Sequence, residues 1–447
     1  MKPRGTRLAV VGLAAASCMA QPAGGLDPRY GADGLVLRRL TEGHDLGRAV
    51  VPLARGSVVV AAESGGRVKP FLGPDAVLLR LTANGALDRT FGQGGITRID
   101  VGRGSDHVAG AAATPQGLIV AGGAAENTNG DAYGDDAAVY AFRTRPSGRL
   151  DPSFGRRGIA SVRVPAWTGI GALNGIALSS DGGVVIGASR STANERNRLV
   201  LVHFDRRGRL DRGFGQNGVA VHDVQHPYAL TGQRDGRLVV VGMTDVPRRD
   251  WFVLRLRRDG RRDPTFGGDG LVVTSFGPNP ESARAVVVDP RGRIVVAGYT
   301  NSGDSNCAKE CDQLRLVRYL SDGRVDTSFG RAGRVAEPVI GLAHDTLGVN
   351  VQPDGKVVVA GSSYVAGQAL DRQLTLWRFD GRGRLDRTFG AGGSVAANPT
   401  TAQINLDFLT AVAVSPAGRI FAAGGASKPT TGFDSTIIYD VAVLRVH

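Results

Sequence analysis

Beyond its first twenty residues the sequence has no apolar run approaching the ~20 residues that a membrane-spanning helix needs. Outside that leader no ten-residue stretch repeats its apolar positions at a helical period, which excludes a helical bundle or solenoid. Cysteines are too few, at three, for a disulfide scaffold, and methionine and tryptophan also number three each. No GxSxG elbow, HExxH pair, Walker loop or Rossmann fingerprint attached to a helix is present. No cofactor is expected on this ground.

Basic charge, by contrast, is plentiful: the net charge is +13. The basic residues are nearly all arginine and recur in every part of the chain instead of gathering into one stripe. That pattern reads as a solvated surface, and nucleic acid is not an expected partner. Glycine is frequent, at 65 residues, with no collagen triplet, so many tight turns between short strands are expected.

Residues 1–20 read as an export signal, with Lys2, Arg4 and Arg7 ahead of the short apolar run 8–16. Cleavage can fall before Cys18, where Ala15-Ala16-Ser17-Cys18 resembles a bacterial lipobox with alanine in place of the preferred leucine, or after Ala20. Cys307 and Cys311 lie four apart in a loop of an exported chain and read as a local disulfide, leaving Cys18 odd and available for lipidation. A metal site is the rival for the pair, but two thiols without nearby histidine make an incomplete shell. The expected localisation is therefore the cell envelope, as a lipoprotein or a periplasmic or secreted protein, with a lipid at Cys18 the one expected membrane contact.

One motif recurs through the rest of the chain. It stands as Leu26-Asp27-Pro28-Arg29-Tyr30-Gly31-Ala32-Asp33-Gly34 and as Leu87-Asp88-Arg89-Thr90-Phe91-Gly92-Gln93-Gly94-Gly95, and returns at 151–158, 211–218, 263–270, 326–333 and 386–393. Successive aspartates, Asp27, Asp88, Asp151, Asp211, Asp263, Asp326 and Asp386, are 52 to 63 residues apart. Between motifs come a short apolar segment, a variable stretch, two β-branched runs joined by a turn such as Asp289-Pro290-Arg291-Gly292, a second variable loop and a last strand. Seven such units imply an all-β, seven-bladed β-propeller with four antiparallel strands per blade, a single domain over 21–447. Shorter coils would mark a β-solenoid, and about seven strands per module would mark tandem sandwiches. The run 441–447 matches the last strand of other units, and the motif that should follow it stands at 26–34, so the two segments are expected to meet.

The LDxxFGxxG motif with PxGxxVVAG and LxRxxxDG spacing resembles the delta-60 repeat family of bacterial exported proteins, over about residues 26–447. The resemblance implies a repeat protein of the envelope and implies no particular activity. The fourth unit departs most, being short and carrying Arg262 where the motif has leucine.

The motif aspartates are expected to cap turns rather than hold metal. An arginine recurs eight residues before them, at Arg80, Arg143, Arg255, Arg318 and Arg378, with His203 in its place once, and the two should pair within a blade. The motif aromatics should pack between blades. His44, His107, His226 and His344 fall in the first variable loop of their units and mark a candidate ligand face. In the loop 127–136, Asp131 and Asp135 are weak Ca²⁺ candidates, lacking the terminal glutamate of an EF-hand. No other metal and no catalytic residue is expected. The leading expectation is a non-catalytic binding module, monomeric, whose variable loops on one face take an envelope protein or glycan. The alternative is a propeller enzyme, a lyase or a quinone- or metal-dependent oxidoreductase, with its site at the central channel mouth.

Overall fold

The computed structural model describes residues 25–65, 73–101, 104–126, 137–163, 170–192, 195–245, 249–300, 313–338, 347–365, 371–399, 405–428 and 438–447. Seven antiparallel sheets of four successive strands make seven blades. The first blade runs from Asp45–Pro52, the inner strand, through Val58–Ser64 and Asp75–Leu81 to the outer strand Ile96–Ile99. The next five follow the same order, and a two-residue strand, Asn405–Leu406, adds in parallel to the third strand of the sixth. Inner strands contact the inner strands of the blades on either side, and the ring of contacts closes from the seventh blade back to the first.

Closure uses both ends of the described chain. The seventh blade takes three strands from Phe408–Val414, Ile420–Ser427 and Tyr439–Val446, and its outer strand is Leu35–Arg38, with Leu35 opposite Leu444. The N–H of Asp27 donates to the carbonyl of Arg445 (2.9 Å), and that of Arg445 to Gly34 (3.0 Å). Residues 26–34 thus supply the motif that follows the last strand.

Each motif connects the third strand of a blade to its own outer strand, so a sequence unit counted from the aspartate begins inside one blade and ends inside the next. The aspartate builds the turn. In Asp88, Oδ1 accepts the N–H (3.0 Å) and hydroxyl (2.6 Å) of Thr90, while Oδ2 accepts Arg80 Nε (2.8 Å). Asp151, Asp326 and Asp386 repeat this with Arg143, Arg318 and Arg378 at 2.7–2.9 Å. In Arg255–Asp263, His203–Asp211 and Arg445–Asp27 the side chains meet at 2.6–2.8 Å but with no hydrogen bond between the facing atoms. The glycine after the aromatic is required where it stands: at Gly92, φ is +57°, and a Cβ would sit 2.2 Å from the carbonyl oxygen of Ile96.

The same arginines reach across to the following blade. Arg80 Nη1 donates to Pro146 O (2.7 Å), Arg143 to Arg206 O (2.7 Å) and Arg318 to Gly381 O (2.8 Å), each acceptor lying in the next blade's turn. Arg255 reaches Ser321 O, and Arg445 reaches Ala83 O across the seam. Each guanidinium also lies 4.3–5.0 Å from the centroid of its own motif aromatic. Those aromatics, at most 1% exposed, each belong to a different one of seven apolar clusters. Every cluster fills the gap between two blades. Phe91 of the first, for example, packs with Val59, Leu78, Ile119 and Phe142. Burial of such a ring is worth about 2–3 kcal/mol.

Removal of one carboxylate should therefore loosen two blades. Asp326→Ala strands the buried guanidinium of Arg318 and is expected to cost about 3 kcal/mol. Asp211 is more exposed, faces His203 and bonds only the N–H of Gly213 through its other oxygen, so Asp211→Ala should cost about 1 kcal/mol. Urea unfolding of both variants against the parent checks the ranking, and equal midpoints would refute the linkage.

Candidate functional site at the loop-bearing face

Strand order divides the connections between two faces. The motif and the turn between first and second strands share one. The connections from outer to inner strand and from second to third share the other, and they differ in length and composition from blade to blade. The inner strands, each with one edge unpaired toward the axis, carry a shared irregularity in their loop-proximal half. Register slips by one residue between Gly47 and Ala49, Val108 and Gly110, Leu173 and Gly175, Pro227 and Ala229, Ala283 and Ala285, and Leu409 and Ala411. The residues left unpaired are Arg48, Ala109, Asn174, Tyr228, Arg284 and Thr410. A bulge bends its strand and re-aims one side chain out of the ladder, so Arg48, Ala109, Tyr228, Arg284 and Thr410 stand at the same level of their inner strands.

Two of these residues gather polar neighbours. Arg48 Nη2 lies 2.8 Å from Glu63 Oε2 on the second strand of its own blade. The other oxygen of Glu63 accepts the N–H of Val108 in the second blade (2.9 Å) and lies 3.6 Å from His107 Nδ1. Burial alone would raise the Glu63 carboxyl, but the charge of Arg48 and the contacts of Arg48 and His107 outweigh it and hold it at about 2. Beside it Asp106 behaves oppositely: burial, with the charges of Asp100 and Asp75, pushes it up to about 7 against the Val101 N–H bond. Tyr140 donates its hydroxyl to the carbonyl of His107 (3.1 Å) beneath both acids.

Across the ring, Arg284 of the fifth blade lies 3.9 Å from the ring centroid of Tyr228, the bulge residue of the fourth. Its Nη2 donates to the Tyr299 hydroxyl (2.8 Å), and the Tyr299 ring centroid is 5.4 Å away. Among the described residues no carboxylate pairs with it, and its buried Nε has no hydrogen-bond partner.

The acids at the entrances of the inner strands hold the incoming loops. Asp45 accepts the N–H of Leu40 (2.6 Å), Asp106 that of Val101 (3.0 Å) and Glu281 that of Phe276 (2.6 Å), five residues back in each case. Burial pushes Glu281 up to about 7. Asp407 accepts the N–H of Ser427 (2.7 Å) and is raised by burial to about 6.

The motif aspartates lie on the opposite face, in the turns described above. Among the candidate histidines, His44 directly precedes the first inner strand, with its ring 5.9 Å from that of Tyr439. His107 is the second residue of the second inner strand, and His226, at φ +45°, directly precedes the fourth, its carbonyl accepting the N–H of Met243 (3.1 Å). The three belong to different blades, and among the described residues no group of three or more histidine, cysteine, aspartate or glutamate side chains is placed to hold a metal ion. His344, Cys18, Cys307, Cys311, Asp131, Asp135 and the leader 1–20 lie outside the described residues. Arg48, Glu63, Tyr228, Arg284 and Tyr299 were not among the sequence candidates. A signal for two of them exists: the tetrapeptide Arg-Ala-Val-Val occurs at 48–51 and again at 284–287.

Four stretches of the chain, 56–91, 233–266, 292–329 and 352–389, match a family described as a domain of unknown function (DUF5122) beta-propeller. Each stretch begins at or near the turn before a second strand and ends on or beside a motif aromatic. No curated protein matches in sequence. Similar solved structures include the GH93 alpha-L-arabinofuranosidase of Fusarium graminearum, 11% identical over 90% of this chain and 93% of that one, with a TM-score of 0.41. A polysaccharide lyase of family PL25, an ulvan lyase, is 12% identical over 90% and 95% (TM-score 0.43). The Penicillium chrysogenum alpha-L-arabinanase is 13% identical over 90% and 93% (TM-score 0.38). Likeness at this level carries no functional argument.

The two sets of acids make opposite demands on pH. Against burial, hydrogen bonds and neighbouring cations hold Asp27, Asp151, Asp263 and Asp326 below the ordinary 3.8, and Asp386 at about 2. Their contribution to stability is present above 3.8 and lost as pH falls through the lowered values. Asp106, Glu281 and Asp407 favour the fold while protonated, and that contribution fades as pH rises from their ordinary values toward 6–7. Melting temperature should therefore peak near about pH 4–5. The double variant Asp106→Asn, Glu281→Gln should flatten the decline between pH 5 and 7 and leave the acid limb unchanged. An unaltered neutral limb would contradict this assignment.

Proposed function

We propose that the chain is a binding protein of the bacterial cell envelope that takes its ligand, a glycan or protein of the envelope, on the loop-bearing face around the ring axis. The observation that carries this reading is the level set of inner-strand bulges, which turns Arg48, Tyr228 and Arg284 out of the ladder on a rigid frame beside connections that differ in every blade. Of the acids there, Glu63 is committed to Arg48 and the Val108 N–H, and Asp45, Asp106 and Glu281 tie down loops, so these four acids are engaged in structure.

A second reading, catalysis on a glycan, has one observation in its favour. Glu63, at about 2, and Asp106, at about 7, flank His107, and two acids with divergent proton affinities are the raw material of an acid–base pair. Asp106 is 1% exposed, which places it behind the surface a substrate would touch.

One experiment separates the readings. Affinity electrophoresis in gels containing envelope polysaccharide should show retardation that Tyr228→Ala weakens about tenfold, about 1.4 kcal/mol, while incubated polymer gains no new reducing ends and no unsaturated-uronate absorbance. Chain scission that Asp106→Asn abolishes would overturn the binding reading in favour of the enzyme.

A further inference from the structure

We propose that Arg284, set between Tyr228 and Tyr299, is an oxyanion-binding subsite that takes the carboxylate or phosphate group of a ligand at the channel mouth. The proposal rests on reading the loop-bearing face as the ligand face and names the chemistry it selects.

The contrast with the other arginines carries the argument. Those that link blades are each committed to a motif aspartate, and the equivalent bulge residue in the first blade, Arg48, is neutralised by Glu63. At the register position that Glu63 occupies, opposite Leu46, the fifth blade has Tyr299, opposite Ser282. The same arginine on the same bulge is therefore given a neutral hydroxyl in place of a carboxylate. That hydroxyl takes Nη2 and orients the fork (2.8 Å), while the Tyr228 ring, 3.9 Å from the guanidinium carbon, holds its plane. A guanidinium fixed on an aromatic face keeps its charge and loses little freedom when it meets a planar anion.

Nη1 makes no hydrogen bond among the described residues and is not among the buried atoms, so it is the donor left to meet an arriving oxyanion. Among the described residues no carboxylate pairs with Arg284, so neither aromatic wall competes with the ligand for the cation. Arg324, an exposed arginine in a turn of the opposite face, differs on this point, since it already meets Asp322 (2.7 Å).

Isothermal titration at low salt with three probes, inorganic phosphate, D-glucuronate and D-glucose, tests the assignment. The parent should bind at least one of the two anions and not glucose, with affinity falling as NaCl is raised. Arg284→Gln should weaken anion binding tenfold or more, Arg284→Lys should recover only part of it, and Arg324→Gln should leave it unchanged. Binding of glucuronate alone identifies a carboxylate ligand, and binding of phosphate alone a phosphate ligand. Should Arg284→Gln fail to fold, Tyr228→Ala, which keeps the charge and removes one wall, must still weaken the same anion. The subsite is overturned if neither anion binds the parent, or if Arg284→Gln binds as the parent does. In either event, polysaccharide retardation persisting in Arg284→Gln leaves the ligand face standing, whereas a parent that is not retarded brings down the face reading itself.

Discussion

The structure depends on one junction repeated around the ring: an arginine or histidine at the end of a third strand, clasped by the aspartate eight positions on, or across the seam for Arg445. The carboxylate does two tasks at once. It folds the turn by accepting from the residue two ahead, and it fixes the cation. The fixed arginine then spans the gap to a carbonyl of the next blade and lies against the aromatic that fills that gap. Turn geometry, charge pairing and core packing are thereby coupled at a single point. Blades with few hydrogen bonds between them are held in angular register by this contact and by the apolar clusters it covers. The third blade shows the limit of substitution: His203 meets its aspartate without a hydrogen bond, lies edge-on to Phe214 at 5.4 Å and turns its other nitrogen to Ser179 of its own blade (2.9 Å).

Much of this was legible in the sequence because it repeats. A residue pair eight apart, seen again and again, has to be local, and an aspartate two residues before a serine or threonine reads as a turn. The missing last motif was found at 26–34, and the seam lies there. What repetition hides is which blade a segment serves: the motif looks like the start of a unit but delivers the outer strand of the blade already under way. The face around the axis was not legible for the opposite reason. Arg48 with Glu63, and Arg284 with Tyr228, are combinations that occur once, between residues far apart in sequence, and one partner of each pair lies outside every motif. Only strand register shows that Glu63 and Tyr299 are equivalent positions with different chemistry.

The two faces therefore differ in what changes they tolerate. On the motif face the glycine after each motif aromatic is hemmed in by its neighbours, and a Cβ at Gly148 would likewise fall 2.6 Å from the backbone nitrogen of Gly92 in the preceding blade. On the other face a bulge already places one side chain outside the ladder, so its identity can change from arginine to alanine to tyrosine without altering the strand pairing beneath it. The chemistry presented on that face can be rewritten one blade at a time.

The seam has a consequence for how the molecule assembles. Apart from the seam and the packing of the seventh blade on the first, contacts join residues within one blade or two successive ones, at sequence separations that a growing chain satisfies early. The pairing of Leu35 with Leu444 spans almost the entire length, and its loop-closure entropy is met only at the end. Blades can therefore form in order as local units, while the ring stays an open arc until its final strand arrives. Forced or thermal opening should retrace that path, beginning with the peeling of 26–38. An arc in that state exposes the edge of Tyr439–Val446, an unpaired strand able to accept the equivalent segment of a second molecule.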